Sequence, residues 1–243
     1  MRTLDQLLAA VPDPSRPLLT YYDMATGERI ELSTTTTANW VAKTSNFLVD
    51  ELDAEPGLRI RIGLPSHWLR FVWLLSSWNV AATVVDHDAD IGVSGPELEA
   101  TEPVCLAASL RPFGARFVNP PDGFTDIGAE IPAHGDHFVA LDPPEPTTVA
   151  LDLGGTARTH GEVLAAIRAD STRRLVGTGS VERDAGLIVA ACLGGGSLVV
   201  VTAATANDVE RVAAQEGAVV DQSDPLHSTM PDRLPSRTGA TDE

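Results

Sequence analysis

The stretch LRIRIGLPSHWLRFVWLLSSWNVAATVVD, residues 58–86, decides the fold. Leu58 to Leu64 alternates apolar and polar side chains, the period of a strand. Ser66 then opens HWLRFVWLLSSWNV, which is apolar around its whole circumference and reads as a buried helix. ATVVD follows as a second, buried strand. Strand, helix and strand within about 30 residues form a βαβ unit, so at least part of the sheet is parallel.

The same rhythm extends outward on both sides. Upstream, Leu4 to Ala10 reads as a short helix with Thr3 as its N-cap. PLLTYYD and ERIELS flank a turn containing Gly27 and form a hairpin. Ser33 caps a helix that runs to about Leu52, with Trp40, Thr44, Phe47 and Leu48 on one face. Downstream, TTVALDLGG is a strand ending in a glycine turn, and a helix follows from about Thr159 to Ala169. RRLVGTG is a strand, Ser180 caps VERDAGLIVAACL, and Gly194-Gly195-Gly196 stops that helix. SLVVVT, NDVERVAAQEG and AVV complete the pattern as strand, helix and strand. The expected class is α/β, with layered, partly parallel sheets and flanking helices over residues 1–220. Residues 221–243 are polar and proline-bearing and are expected to be disordered.

Composition excludes several functions. The 243 residues carry 17 basic and 34 acidic side chains, a net charge of −17. Such a chain is a poor partner for nucleic acid or an anionic membrane. Sixteen of the basic residues are arginine and only Lys43 is lysine, so any mechanism needing two lysines is ruled out. Cys105 and Cys192 lie far apart in apolar surroundings and read as buried free thiols. No apolar run approaches the roughly 20 residues of a membrane span, and no leader precedes the first element, so a cytoplasmic location is expected. Residues 86–145 hold twelve acidic residues against Arg111 and Arg116, a local net of −10. Their many prolines make residues 86–146 read as loops with a few short strands.

Two candidate metal sites stand out. DHDADIGVSGPE places Asp86, Asp88, Asp90 and Glu97 at positions 1, 3, 5 and 12 of a calcium loop. Ile91 stands where that loop needs glycine, and Pro96 obstructs the helix that should follow; a solvated acidic loop is the competing reading. His134, Asp136 and His137 form an HGDH cluster without a second ligand pair, which favours a polar turn. LDLGGTARTHGEV offers a third kind of site. Gly154, Gly155 and Thr156, between a strand and a helix start, could cradle phosphate through backbone N–H groups. A tight turn explains the same residues.

Read together, these segments resemble the AMP-binding, adenylate-forming superfamily of acyl-CoA synthetases, peptide-synthetase adenylation domains and luciferases. PLLTYYDMATGERIELSTTTTANWVAKTSNFLVDEL is similar to its opening, and residues 59–86 to its most distinctive early segment. TTVALDLGGTARTHGEV stands at its Ser/Thr/Gly-rich phosphate loop, and AGLIVAACLGGGSLVVV resembles a later helix–glycine–strand segment. The order holds from Leu18 to Val220 and looks closest to a small actinobacterial family of truncated relatives. The resemblance implies ATP or AMP as ligand. It also implies a phosphate loop with serines and a lysine, of which only Gly154, Gly155 and Thr156 remain. The superfamily's later motifs and catalytic lysine would fall beyond Glu243, and Lys43 lies in the first long helix and replaces neither family lysine.

The leading expectation is therefore a non-catalytic, degenerate protein that binds a ligand, a protein partner or a second copy of itself. A reduced enzyme, working alone or completed in trans, and a calcium-binding loop protein remain as alternatives.

Overall fold

The computed structural model describes residues 1–221; the expectation for the tail beyond Asp221 falls outside these residues. Asp221 itself is held. Its N–H donates to the Leu175 carbonyl at 2.9 Å, and its carboxylate pairs with Arg183 at 3.1 Å.

Residues 4–10 form two single 3-10 turns, Leu4–Gln6 and Leu8–Ala10, instead of one α-helix, and the Thr3 side chain makes no capping bond. So short a segment gains too few backbone bonds to offset helix nucleation. The hairpin follows as β1 (Pro17–Asp23) and β2 (Glu28–Ser33), then α1 (Thr34–Leu52), whose Ser33 cap accepts from the Thr36 N–H at 3.1 Å. The βαβ unit is β3 (Arg59–Gly63), α2 (Trp68–Asn79) and β4 (Thr83–Val85). Its cap is His67, whose Nδ1 accepts from the Leu69 N–H at 3.2 Å, and not Ser66. The acidic middle contributes β5 (Ile91–Ser94), β6 (Val104–Ala107), β7 (Thr125–Asp126) and the one-turn α3 (Ile127–Glu130). After it come β8 (Val149–Leu153), β9 (Thr156–Thr159), α4 (His160–Ala166) and β10 (Arg173–Val176). The chain continues through α5 (Val181–Gly194), β11 (Ser197–Thr202), α6 (Ala206–Glu216) and β12 (Val219–Val220).

These strands form two sheets. One runs β12-β10-β11-β1-β2 and the other β7-β6-β5-β3-β4-β8-β9. Pairing is parallel throughout, except in the β1–β2 and β8–β9 hairpins. Parallel strands need both faces covered, and α2 covers one face of each sheet at once. It touches β3 and β4 on one side, β1 on the other, and α1 and α5 along its flanks. Every residue from Trp68 to Trp78 is buried in consequence. Burying each large apolar side chain on this helix is worth about 1.5–3 kcal/mol, and Trp68, Trp73, Trp78 and Phe71 are the largest of them. α6 covers the far face of the smaller sheet through Val209 and Val212, which pack on Leu175, Val199 and Val201.

One ion pair lies inside this core. Arg70 of α2 donates to Asp184 of α5 at 2.6 Å, and to the carbonyls of Leu64 at 2.8 Å and Gly179 at 2.7 Å. The pair ties the end of β3 to the loop after β10. Burial pushes the Asp184 carboxyl up, and the adjacent Arg70 guanidinium works against that shift. At the other end of α5, Gly195 closes the helix at φ +70°. The Asp170 backbone passes so close to Gly194 and Gly196 that a Cβ on either would stand 2.3–2.4 Å from it. Cys192 is buried, whereas Cys105 is only half-buried; both are free thiols.

Candidate functional site

Gly154 and Gly155 make the two-residue turn of the β8–β9 hairpin, with φ of +59° and +73°. Two successive left-handed residues form the type I′ turn that matches the twist of antiparallel strands, and glycine adopts it without steric penalty. The expected strand–turn–helix cradle is therefore absent. Thr156–Thr159 is a strand, and α4 begins only at His160, behind a capping box of Thr159 and Glu162. The helix N-terminus that would bind phosphate stands a whole strand away from the glycines.

The turn's donor and neighbouring cations are already engaged. The Gly154 N–H donates to Asp86 Oδ2 at 2.8 Å. Asp86 follows β4, the neighbour of β8 in the sheet, and its second oxygen meets His87 Nδ1 at 2.7 Å. The His87 bond, then the Gly154 N–H, hold the Asp86 carboxyl below the usual range, and Asp86 in turn raises His87. Arg59 reaches across the same surface to Asp152 at 3.3 Å and donates to the carbonyls of Asp88 at 2.8 Å and His87 at 3.1 Å. Arg158 on β9 pairs with Glu182 at 2.6 Å. A phosphate entering here would displace a carboxylate from the glycine and compete with carboxylates for both arginines.

The calcium-loop spacing is not realised either. Ile91 to Ser94, its centre, is strand β5, fully buried between β3 and β6. This strand carries Glu97 away from the aspartates. Asp90 is spent on the Arg59 N–H at 3.0 Å and Asp86 on Gly154. Among the described residues no three His, Cys, Asp or Glu side chains gather to hold a metal. The HGDH cluster is a strapped turn: Asn46 of α1 donates to the carbonyls of Gly135 at 2.9 Å and His137 at 3.0 Å. Lys43, the only lysine, donates to the carbonyls of Pro132 and His134.

The larger concavities lie elsewhere. One of 580 Å³ opens at the N-terminal ends of β1, β10 and β11, between Arg16, Arg173, Glu31, Glu216 and Gly194–Ser197. Burial would raise Glu216, but bonds from Tyr22, Arg173 and Arg29 bring it down to about 2. Three more depressions lie along residues 136–146. Sequence reasoning passed over both regions, because each is assembled from segments far apart in the chain.

No protein-family model matches the sequence. A TIGR03089 family protein of Mycobacterium tuberculosis is 38% identical over 189 residues, spanning 73% of this chain and 77% of that one. The chain belongs to the TIGR03089 family. The fold of this family member is similar to that of much larger enzymes. An acyl-CoA synthetase of Brucella canis superposes with a TM-score of 0.71 at 13% identity, over 90% of this chain and 46% of that one. Acetoacetyl-CoA synthetase of Streptomyces lividans gives 0.72 at 15%, over 91% and 42%. A fatty acyl CoA synthetase of Mycobacterium tuberculosis gives 0.67 at 11%, over 95% and 53%. The TIGR03089 chain thus has the fold of part of an adenylate-forming enzyme and spans about half the length of these synthetases. Among the described residues no helix is long and apolar enough to cross a membrane.

Proposed function

We propose that this chain is a non-catalytic, adenylating-enzyme-like protein that acts by binding a ligand or another protein. One observation carries the reading: at the position of the resembled phosphate loop, the Gly154 N–H is bonded to the Asp86 carboxylate at 2.8 Å. Stabilising charge in phosphoryl or adenylyl transfer needs donors and cations aimed at the phosphates. Here Arg59 and Arg158 are paired with Asp152 and Glu182, and Lys43 is tied to carbonyls of the 132–134 turn. The same reading includes a cytoplasmic setting and an actinobacterial source, the latter supported by the mycobacterial relative and the arginine-for-lysine composition.

ATP–pyrophosphate exchange tests it, run on the purified chain with a panel of aliphatic, aromatic and amino acids, alongside ATP and AMP calorimetry. No exchange and no nucleotide heat are expected. Acid-dependent exchange would overturn it.

A further inference from the structure

Residues 136–146 form an irregular strap, bent at Asp136 and at Leu141–Asp142, with anchored ends and an exposed apolar middle. At one end α1 holds it through Asn46 and Lys43. At the other, Pro144 is buried, the Glu145 N–H donates to Thr148 Oγ1 at 3.0 Å, and the Gly161 N–H donates to the Pro146 carbonyl at 2.9 Å. Phe138 packs against the core. Between these anchors Val139 is 70% exposed and Leu141 is 91% exposed. Isolated apolar residues on a surface need no explanation, but these two line a depression of 280 Å³ together with Val49, Ala54, Pro56 and Val80. It shares Phe138 with a depression of 440 Å³, and Pro56 and Asp142 with one of 550 Å³, so the three follow the strap as a broken trough.

The charge of the trough is one-sided. Its walls carry Asp5, Asp53, Glu55, Asp136, Asp142 and Glu145 against Arg2. The C-terminal end of α1 points at it, with Asp50 and Glu51 in the final turn and no basic residue there. A helix C-terminus carries a partial negative charge that cations normally offset. Here carboxylates add to it, and among the described residues Asp50 has the His134 imidazole at 3.6 Å and no arginine or lysine within ion-pair distance. Local rules are broken without local compensation chiefly at sites serving another purpose.

We infer that this trough is a docking site for an extended segment of another protein in which basic residues alternate with apolar ones. The apolar residues would cover Val139 and Leu141, and the basic ones would meet the end of α1, Glu55 and Asp142. The inference rests on the binding reading above and names the class of partner.

Panning a library of short random peptides against the full chain tests it, followed by fluorescence anisotropy of the enriched peptides. Enrichment of peptides that interleave Arg or Lys with apolar residues is expected. Their affinity should fall about tenfold or more in Val139→Ser/Leu141→Ser and in Glu55→Lys/Asp142→Lys, and stay unchanged in Glu210→Lys on α6. No enrichment, enrichment of acidic peptides, affinity untouched by both double variants, or an equal loss in Glu210→Lys would overturn the docking site. So would a dimer in sedimentation that Leu141→Ser dissociates, since a second copy would then be the occupant. Acid-dependent exchange would instead overturn the non-catalytic reading, and Leu141→Ser would leave that exchange unmoved.

Discussion

Asp86 and Gly154 lie 68 positions apart in the chain, and the carboxylate of one accepts the backbone N–H of the other at 2.8 Å. The bond closes the glycine turn from outside and couples it to His87, whose imidazole holds the second carboxylate oxygen. A carboxylate of the protein itself thus accepts the Gly154 N–H of the turn.

This lock has a defined pH window. His87 is raised above 6.5, so its contribution is complete below 6.5 and is lost as pH rises through its folded value. Asp86 is lowered below 3.8, so its contribution is complete above 3.8 and is lost as pH falls through its folded value. NMR titration of His87 should give a value above 6.5 that drops toward 6.5 in Asp86→Asn. The Gly154 amide should lose exchange protection in the same variant.

The turn separates two glycines that look alike in sequence. Space around both is open, so only backbone conformation decides. Gly155→Ala should destabilise the chain by about 1–2 kcal/mol, because an L side chain is strained at positive φ. Gly154→Asn should be neutral or slightly stabilising, since Asn-Gly is a favoured type I′ pair. Urea unfolding of the two variants checks the contrast.

Breaking the Arg70–Asp184 pair from one side should be severe. Asp184→Asn leaves Arg70 buried without its counter-charge and should cost about 3–5 kcal/mol. Arg70→Met/Asp184→Leu should recover part of that loss: no unpaired charge then remains, but the Leu64 and Gly179 carbonyls lose their Arg70 donor. A double-mutant cycle in urea reads the coupling.

Two histidines should make the protein acid-sensitive well above the carboxylate range. His67 and His160 each use Nδ1 to accept a backbone N–H, from Leu69 at 3.2 Å and Leu4 at 3.0 Å. Burial lowers them to about 3 and about 4. Their neutral forms give full stability above 6.5, and it is lost progressively as pH falls toward those values. Unfolding free energy measured from pH 7.5 to 5 should decline with pH, and His160→Gln should reduce the slope by about one proton.

The elements that were legible in sequence carry their signal locally. The alternation of Leu58–Leu64, the fully apolar Trp68–Trp78 helix and the Ser33 and Ser180 caps each point to the structure that forms. β9 was hidden because TART has no apolar alternation, so its glycine turn read as the entrance to α4. β5 and β6 were masked by surrounding carboxylates, although IGVS and VCLA pair residue for residue, Ile91 with Val104 through Ser94 with Ala107. The same strand removes the calcium loop, whose carboxylate spacing is right and whose centre, Ile91–Ser94, is extended. The Asp86–Gly154 bond left one trace, a carboxylate ending one strand and a glycine turn ending another. Adjacency of those strands is a property of the assembled sheet.

The strand order of the smaller sheet has a consequence for the birth of the protein. β1 pairs with β11, Leu19 opposite Leu198, so the sheet joins two strands made 179 positions apart. At a synthesis rate of about 5–20 residues per second, the β1–β2 hairpin waits on the order of ten to forty seconds for its partner. Throughout that interval the inner edge of β1, with Leu19 and Tyr21, is open to any other strand in reach. The larger sheet draws all its strands from Arg59 to Thr159, so its last strand is made 38 positions before β11 begins. Nascent chains stalled before Ser197 should therefore carry a finished larger sheet and a hairpin still open to proteases and chaperones.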